Sequence, residues 1–205
     1  MGLWPVLIQL LSDDEQQVRT GVAWVCGTAL QNNPDAQKAF LEQKGLTPLI
    51  KLLSSDQKTE RAKAQYAISG LLKHCPTAVE EFKSMNGFQI MANILKNSAD
   101  DTPTVRKVIF LYNTLMIENP SLAEELVKDG MVKVLDDVIV KYTIEDDEDL
   151  VEKALRTLHT LAEHQSFSIV NDDMRAHIKS AKEKFGADNL NLDKKEWDDL
   201  LSTIS

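Results

Sequence analysis

Apolar residues recur three and four apart in VRTGVAWVCGTALQ (18–31), ERAKAQYAISGLLK (60–73) and VRKVIFLYNTLMI (105–117). That spacing gathers them on one side of a helix, so each stretch predicts a long amphipathic α-helix. A break follows each one, ending in Asn33-Pro34, Cys75-Pro76 or Asn119-Pro120. Next come shorter helical stretches, AQKAFLEQ (36–43), AVEEFKSM (78–85) and SLAEELVKD (121–129). Gly45, Gly87 and Gly130 then open the apolar runs GLTPLIKLL, GFQIMANIL and GMVKVLDDVI. Each glycine is expected to end the short helix as a left-handed cap, with a third helix starting behind it.

The proline dipeptides return at spacings of 42 and 44 residues. A period of about 40 to 47 residues built only from helical patterns belongs to the armadillo and HEAT class, whose repeats stack and work through an extended surface. The expected fold is therefore all-α, a right-handed armadillo-type helical solenoid of about four repeats in a single domain, with capping helices at the C-terminus. Full repeats are expected over 13–55, 56–98 and 99–142, with a divergent repeat and cap over 143–205. Residues 1–12 match only the last helix of a unit, since LIQLLS (7–12) aligns with LIKLLS (49–54). The solenoid should thus begin mid-repeat, and its unpaired first helix leaves an apolar edge that something must cover. In the fourth unit His164-Gln165 replaces the proline, and AHIKSAKEKFG and KKEWDDLLSTI read as polar capping helices. Leu49, Leu52, Leu53, Ile68, Leu71, Ile94, Leu95 and Leu115 are the expected core.

The chain has 205 residues, 43% hydrophobic and 27% charged, enough for one soluble unit with a substantial core. Apolar stretches fall well short of the roughly 20 residues that cross a bilayer, and no charged-then-apolar leader opens the chain. A soluble, unexported, cytoplasmic protein is expected. Cys26 and Cys75 occupy different phases of their repeats and make no disulfide framework. With 32 acidic against 23 basic residues, a net charge of -9 disfavours a nucleic-acid partner.

Candidate chemistry is sparse. His74, His159, His164 and His177 lack the spacings of metal ligands, and the run Glu145 to Asp149 lacks the alternating ligands and mid-loop glycine of a calcium loop. Asp13-Asp14-Glu15 and Asp100-Asp101 stand just before long helices, where negative charge suits the helix N-terminus. No phosphate-binding loop or nucleophile elbow occurs. A non-enzyme without cofactor or metal is expected, so function is sought on a surface.

Counting ten residues back from each proline lands on Trp24, Tyr66 and Phe110; seven back lands on Gly27, Ser69 and Asn113. In armadillo units the long helix lines the inner curve, so its outward stripe is the candidate partner surface. That stripe comprises Thr20, Trp24, Thr28 and Gln31, then Ala62, Lys63, Tyr66 and Gly70, then Arg106, Lys107, Phe110 and Asn113. Tryptophan, tyrosine and arginine anchor interfaces disproportionately, and Arg106 offers a fork suited to a carboxylate. Tyr66 and Phe110 could instead pack as inter-repeat core. Lys63, Arg106 and Lys107 would form a basic patch in an acidic protein, drawing an acidic partner face.

Several phrases go further: GLWPVLIQLLS, VRTGVAWVCGTALQNNPDAQKAFLEQKGL, RAKAQYAISGLLKH and KDGMVKVL. They resemble the armadillo core of the Fes-one and heat-shock-binding-protein-one group of nucleotide exchange factors, with the fungal members most alike. The likeness spans essentially the whole chain, and its most specific parts are "GTALQNNP…Q…F" and "KAQYAIS". The resemblance implies a cytosolic co-chaperone, expected to act as a monomer. It would grip the ATPase domain of the seventy-kilodalton heat-shock chaperone at the smaller lobe and accelerate ADP release. The implied mechanism is preferential binding of the opened lobe, for which tenfold weaker ADP retention needs only about 1.4 kcal/mol. In the family a flexible segment that competes with released substrate precedes this core.

The alternative reading is an armadillo module of the importin-alpha type, which holds extended peptides with tryptophan and asparagine four residues apart. Here the pairs are Trp24 with Thr28, Tyr66 with Gly70 and Phe110 with Thr114, so the asparagine ladder that would clamp a peptide backbone is missing. A purely structural scaffold is the third class.

Overall fold

The computed structural model describes residues 2–97, 101–165 and 168–202, and these residues form thirteen helices and no strand. None of the helices is long and apolar enough to cross a membrane. The chain divides into two compact units, Met1–Ile94 with Asp100–Lys107, and Leu95–Ala99 with Val108–Ser205.

In the first unit, up to Ile94 within the last of these helices, α1 (Trp4–Leu10) precedes two repeats of long, short and third helix. These are α2 (Gln16–Leu30), α3 (Pro34–Glu42) and α4 (Leu46–Leu53), then α5 (Lys58–Leu72), α6 (Pro76–Ser84) and α7 (Gly87–Asn97). The next long helix, α8 (Thr102–Glu118), begins in this unit and continues in the second. Pro34 and Pro76 each occupy the first turn of a short helix, where a missing N–H costs nothing. All eight expected core residues are buried.

Gly45 and Gly87 are not the left-handed caps that the sequence pattern predicts. Gly45 has φ -68, and the left-handed residue is the one before it, Lys44 at φ 58. Asn86 at φ 58 does the same ahead of Gly87, and only Gly130, at φ 83, is itself left-handed. Gly45 and Gly87 are glycines for a different reason. A Cβ on Gly45 would lie 2.4 Å from the Phe40 ring, and one on Gly87 would lie 2.4 Å from the Phe82 ring. The short helix thus presses a buried aromatic onto the start of the third helix. In the next repeat Leu126 stands five residues before Met131, and one residue fewer separates proline from glycine, so Gly130 falls on the left-handed position.

Neighbouring residues therefore obey opposite rules. Lys44→Gly should stabilise the protein by about 1 kcal/mol, by relieving left-handed strain on a residue with a Cβ. Gly45→Ala should destabilise it by about 1 to 3 kcal/mol through overpacking against Phe40. Thermal melts of the two variants check this, and shifts of the same sign would contradict it.

Helices α2 and α5 lie side by side at close range. A Cβ on Gly27 would meet the Tyr66 ring at 2.4 Å and the Ala67 Cα at 3.0 Å. From the other helix, a Cβ on Gly70 would come within 3.1 Å of the Gly27 carbonyl oxygen. Gln37, only 2% exposed, donates from Nε2 to the carbonyls of Gly70 (2.8 Å) and Lys73 (3.2 Å), satisfying the end of α5. Cys26 lies in the same seam, and burial pushes its thiol up to about 12, so it stays protonated at neutral pH.

Charged pairs span the repeats at one period. Arg19 reaches Glu60 (2.6 Å) and also donates to the carbonyls of Asp13 (2.7 Å) and Asp14 (2.9 Å). Arg61 reaches Asp101 (2.8 Å) and donates to the Ser55 carbonyl (2.8 Å). Asp101 is thus more than a helix-dipole partner: it is buried and neutralises an arginine 40 residues earlier. Asp100 lies outside the described residues.

The second unit contains most of α8, then α9 (Ser121–Lys128), α10 (Met131–Ile144), α11 (Glu148–Glu163), α12 (Asp172–Phe185) and α13 (Lys194–Leu201). From the acidic run, Asp147 caps α11 by accepting from the Leu150 N–H at 3.0 Å. The expected polar caps bury real core, with Met174, Ile178 and Ala181 on α12, and Trp197 and Leu200 on α13. The 40-residue register carries on into α13, where Glu196 pairs with Arg156 (3.1 Å) and Asp199 with His159 (2.9 Å).

Candidate functional site

The face of α2 beside α5 is built from what the helix buries. Ala23, Cys26, Gly27 and Leu30 turn inward, and the small ones let α5 approach closely. Trp24, next to Ala23, consequently stands at the mouth of the seam with 55% of its surface exposed. From α5, the Lys63 ammonium lies 5.2 Å from the Trp24 ring centroid, a cation–π arrangement. Around them a shallow depression of about 490 Å³ is lined by Gln16, Gln17, Thr20, Gly21, Trp24, Thr59 and Lys63. Gln16 Nε2 lies 3.4 Å from Thr59 Oγ1 across its floor. One cation, an indole face and neutral amides and hydroxyls suit an apolar side chain beside a carboxylate.

The structure brings Thr20, Trp24 and Lys63 together at this depression. Tyr66 is half-buried over Gly27, so it serves the seam more than the surface. Thr20 and Thr28 donate their hydroxyls to the carbonyls of Gln16 (2.8 Å) and Trp24 (3.1 Å). Thr114 does likewise to Phe110 (3.0 Å). The hydroxyls four residues after Trp24 and Phe110 therefore satisfy their own helices, which weighs against the peptide-clamp alternative. On α8 the candidates divide. Arg106, half-buried and already engaged within the protein, and exposed Lys107 belong to the first unit. Phe110, 52% exposed and so no core residue, and Asn113 belong to the second. Asn113 accepts from Thr160 Oγ1 at 2.7 Å.

Gln16, Gln17 and Thr59 were not among the sequence candidates. The signal was there, since 16, 20 and 24 share one helical stripe and Thr59 precedes Lys63 by four. A second cluster also escaped the sequence. His159, Glu163 and Asp199 have ligand atoms within 4.8 Å of one another. Lys195 sits on both carboxylates, 2.5 Å from Glu163 and 3.6 Å from Asp199. Its ammonium supplies the neutralising charge, so the cluster reads as a latch fastening α13 to α11 and not as a metal site. The hydrogen bond from His159 holds the Asp199 carboxyl below the usual carboxylate range.

The sequence profile of the SIL1/FES1/HPBP1 C-terminal domain matches residues 1–136. The chain belongs to this family. Among relatives of this SIL1/FES1/HPBP1 chain, the Hsp70 nucleotide exchange factor fes1 of Schizosaccharomyces pombe is 29% identical over 175 residues, covering 83% of this chain and 60% of that protein. The Hsp70 nucleotide exchange factor FES1 of Mycosarcoma maydis is 40% identical over 124 residues, covering 59% of this chain and 31% of that protein. The chain thus spans less than two thirds of these relatives' own lengths.

Solved structures agree on the fold. A designed armadillo repeat protein in complex with peptide (KR)4 superposes with TM-score 0.69 at 16% identity, covering 96% of this chain and 78% of that one. An engineered protein superposes with TM-score 0.71 at 19% identity, covering 96% and 76%. The SIL1/FES1/HPBP1 chain is an all-helical, armadillo-type solenoid. Its family-like phrases also acquire a physical role. "GTALQNNP…Q…F" contributes Gly27 and Gln37 to the α2/α5 seam and Phe40 to the packing against Gly45, while "KAQYAIS" contributes Tyr66 and Ala67 to the same seam, which presents Trp24 and Lys63.

Proposed function

We propose that this chain is a non-enzymatic, cytoplasmic co-chaperone that binds the ATPase domain of Hsp70 and promotes ADP release, using the α2/α5 face around Trp24 and Lys63. The observation that carries the reading is the family membership, supported by relatives named Hsp70 nucleotide exchange factors. Trp24 supports the face: a large indole left 55% exposed beside a cation, on a seam too tightly packed to shift, has the character of an interface anchor. Lys63 gives it positive charge inside a chain of net charge -9, which favours an acidic partner surface, and exposed Lys107 on α8 is proposed to add to that attraction. Tyr66, packed against Gly27, and Thr20, in the lining of the depression, belong to this face; Thr28, Arg106, Phe110 and Asn113 are proposed as partner contacts in their own right, each from its own helix.

The mechanism needs no nucleotide-binding residue on this chain. A rigid solenoid face that fits the opened ATPase lobe better than the closed, ADP-bound one shifts the lobe toward opening by the difference in binding free energy. Linkage then requires ADP to weaken the co-chaperone by the same factor that the co-chaperone weakens ADP. Calorimetry against the Hsp70 ATPase domain tests this. At least tenfold tighter binding without nucleotide than with ADP is expected, about 1.4 kcal/mol of coupling. Equal affinities would overturn the proposal.

A further inference from the structure

The two long helices that form the Trp24 depression are tied near their N-termini by a buried charge. Arg19 on α2 holds Glu60 on α5 through both Nε (2.7 Å) and Nη2 (2.6 Å). This joins the two walls directly, because Thr20 follows Arg19, Thr59 precedes Glu60, and both threonines line the depression. Glu60 has a second donor. The Ser55 hydroxyl, in the turn before α5, donates to its other oxygen, Oε2, at 2.5 Å. The Ser55 carbonyl in turn accepts from Arg61 Nη1 (2.8 Å), and Arg61 Nη2 holds Asp101 at 2.8 Å. Asp101 starts α8, for its carbonyl accepts from the N–H groups of Thr104 (3.0 Å) and Val105 (3.1 Å). One hydrogen-bonded chain therefore runs from the head of α2 through that of α5 to that of α8, all within the first unit.

Ser55 is the link between the two arginine–carboxylate pairs. Forty-two residues earlier its place is taken by Asp13, and that of Glu60 by Val18. Asp13 does two of the three things that Ser55 does. Its carbonyl accepts from Arg19 (2.7 Å), and its Oδ1 accepts from the N–H two residues on (2.9 Å), as Ser55 Oγ does from Gln57 (3.1 Å). The third is closed to it, since an ionised carboxylate has no proton to donate. The turn thus carries a donor in the repeat where a buried carboxylate needs one. The side chain of Glu60 is only 3% exposed, that of Asp101 6% and that of Arg61 12%, so water competes little for these bonds and each strengthens the next.

We propose, resting on the exchange-factor reading, that Ser55 is a positioning residue for nucleotide coupling. By linking the two arginine–carboxylate pairs it makes the heads of α2, α5 and α8 move as one body, and so sets how strongly this chain prefers the ADP-free ATPase domain. Lys63 stands three residues beyond Glu60 and Lys107 six beyond Asp101, so the spacing of these two cations is held by the same chain of bonds. A partner that changes shape is discriminated only by a surface that does not change with it. With helix heads that turned independently, the same side chains would follow the ATPase lobe into its closed form, and a ligand that binds both forms equally shifts neither. The Ser55 hydroxyl therefore acts on the ratio of two affinities more than on the tighter of them.

Two measurements test this, and the first needs no partner. In amide hydrogen exchange of the chain alone, Ser55→Ala is expected to speed exchange in the first turn of α8, at Thr104 and Val105, by about tenfold, and Ser55→Thr, which keeps a hydroxyl, to leave it near the parent's rate. In calorimetry against the Hsp70 ATPase domain, Ser55→Ala should cut the tenfold preference for the nucleotide-free form to about threefold or less, while its affinity for that form stays within about threefold of the parent's. Ser55→Thr should keep the parent's ratio. Unchanged exchange at the head of α8, a Ser55→Ala ratio equal to the parent's, or equal loss of both affinities overturns the proposal. A parent with no preference at all would instead overturn the exchange-factor reading, and the coupling role of Ser55 with it.

Discussion

Trp24→Ala is expected to weaken the complex with the Hsp70 ATPase domain about thirtyfold, or about 2 kcal/mol, while leaving the fold intact. The indole is 55% exposed, so its truncation removes little that the monomer has already buried. In a complex the same ring would be desolvated against the partner, and the aromatic area of about 200 Å² is what anchors interfaces. Lys63→Ala should have a smaller effect in the same direction, since it removes the positive charge over the ring and leaves the ring in place. The complex should also move tryptophan emission to the blue, because Trp197 is already buried and Trp4 half-buried. If Trp24→Ala binds as tightly as the parent, the working surface is elsewhere.

Gly27→Val should cost about 3 kcal/mol of stability, lowering the melting temperature by roughly 10 °C for a chain of this size. The first atom added would already lie 2.4 Å from the Tyr66 ring, and the branches of valine would force α2 and α5 apart. Partial rescue is expected from Tyr66→Ala in the same chain. The ring would be gone, but the Ala67 backbone at 3.0 Å would remain. A double variant no more stable than Gly27→Val alone would mean that the ring is not what makes position 27 glycine. Because Trp24 and Lys63 are presented by this seam, loosening it should reduce binding as well.

The helices were legible because burying one stripe per helix leaves a period of three and four in the sequence, and nothing here overrode it. Where the reading slipped, two physical demands produced the same residue. Gly45 looked like a left-handed cap but answers to the ring of Phe40, while strain is carried by Lys44, which no glycine pattern flags. Long-range pairs were the other blind spot. Arg19 with Glu60, Arg61 with Asp101 and Arg156 with Glu196 are visible only once the 40-residue closure is known, since a sequence shows charges but not which repeat they face. Trp24 and Lys63 could be found from sequence because proline register and helical spacing place both on the same side of their helices. Gln16 and Thr59 share helical stripes with Trp24 and Lys63, yet polar side chains on a helix surface stand out from their neighbours only once an adjoining helix turns them into a wall.

On the proposed function, this chain opens the ATPase lobe of Hsp70 by shape preference, through the face that Trp24 anchors. The most direct measurement is the rate at which a fluorescent ADP leaves the Hsp70 ATPase domain after mixing with saturating chain. At least a tenfold faster release is expected with the parent, and a Trp24→Ala response that reaches the same plateau only at higher concentration. A release rate that saturating chain leaves unchanged would contradict it.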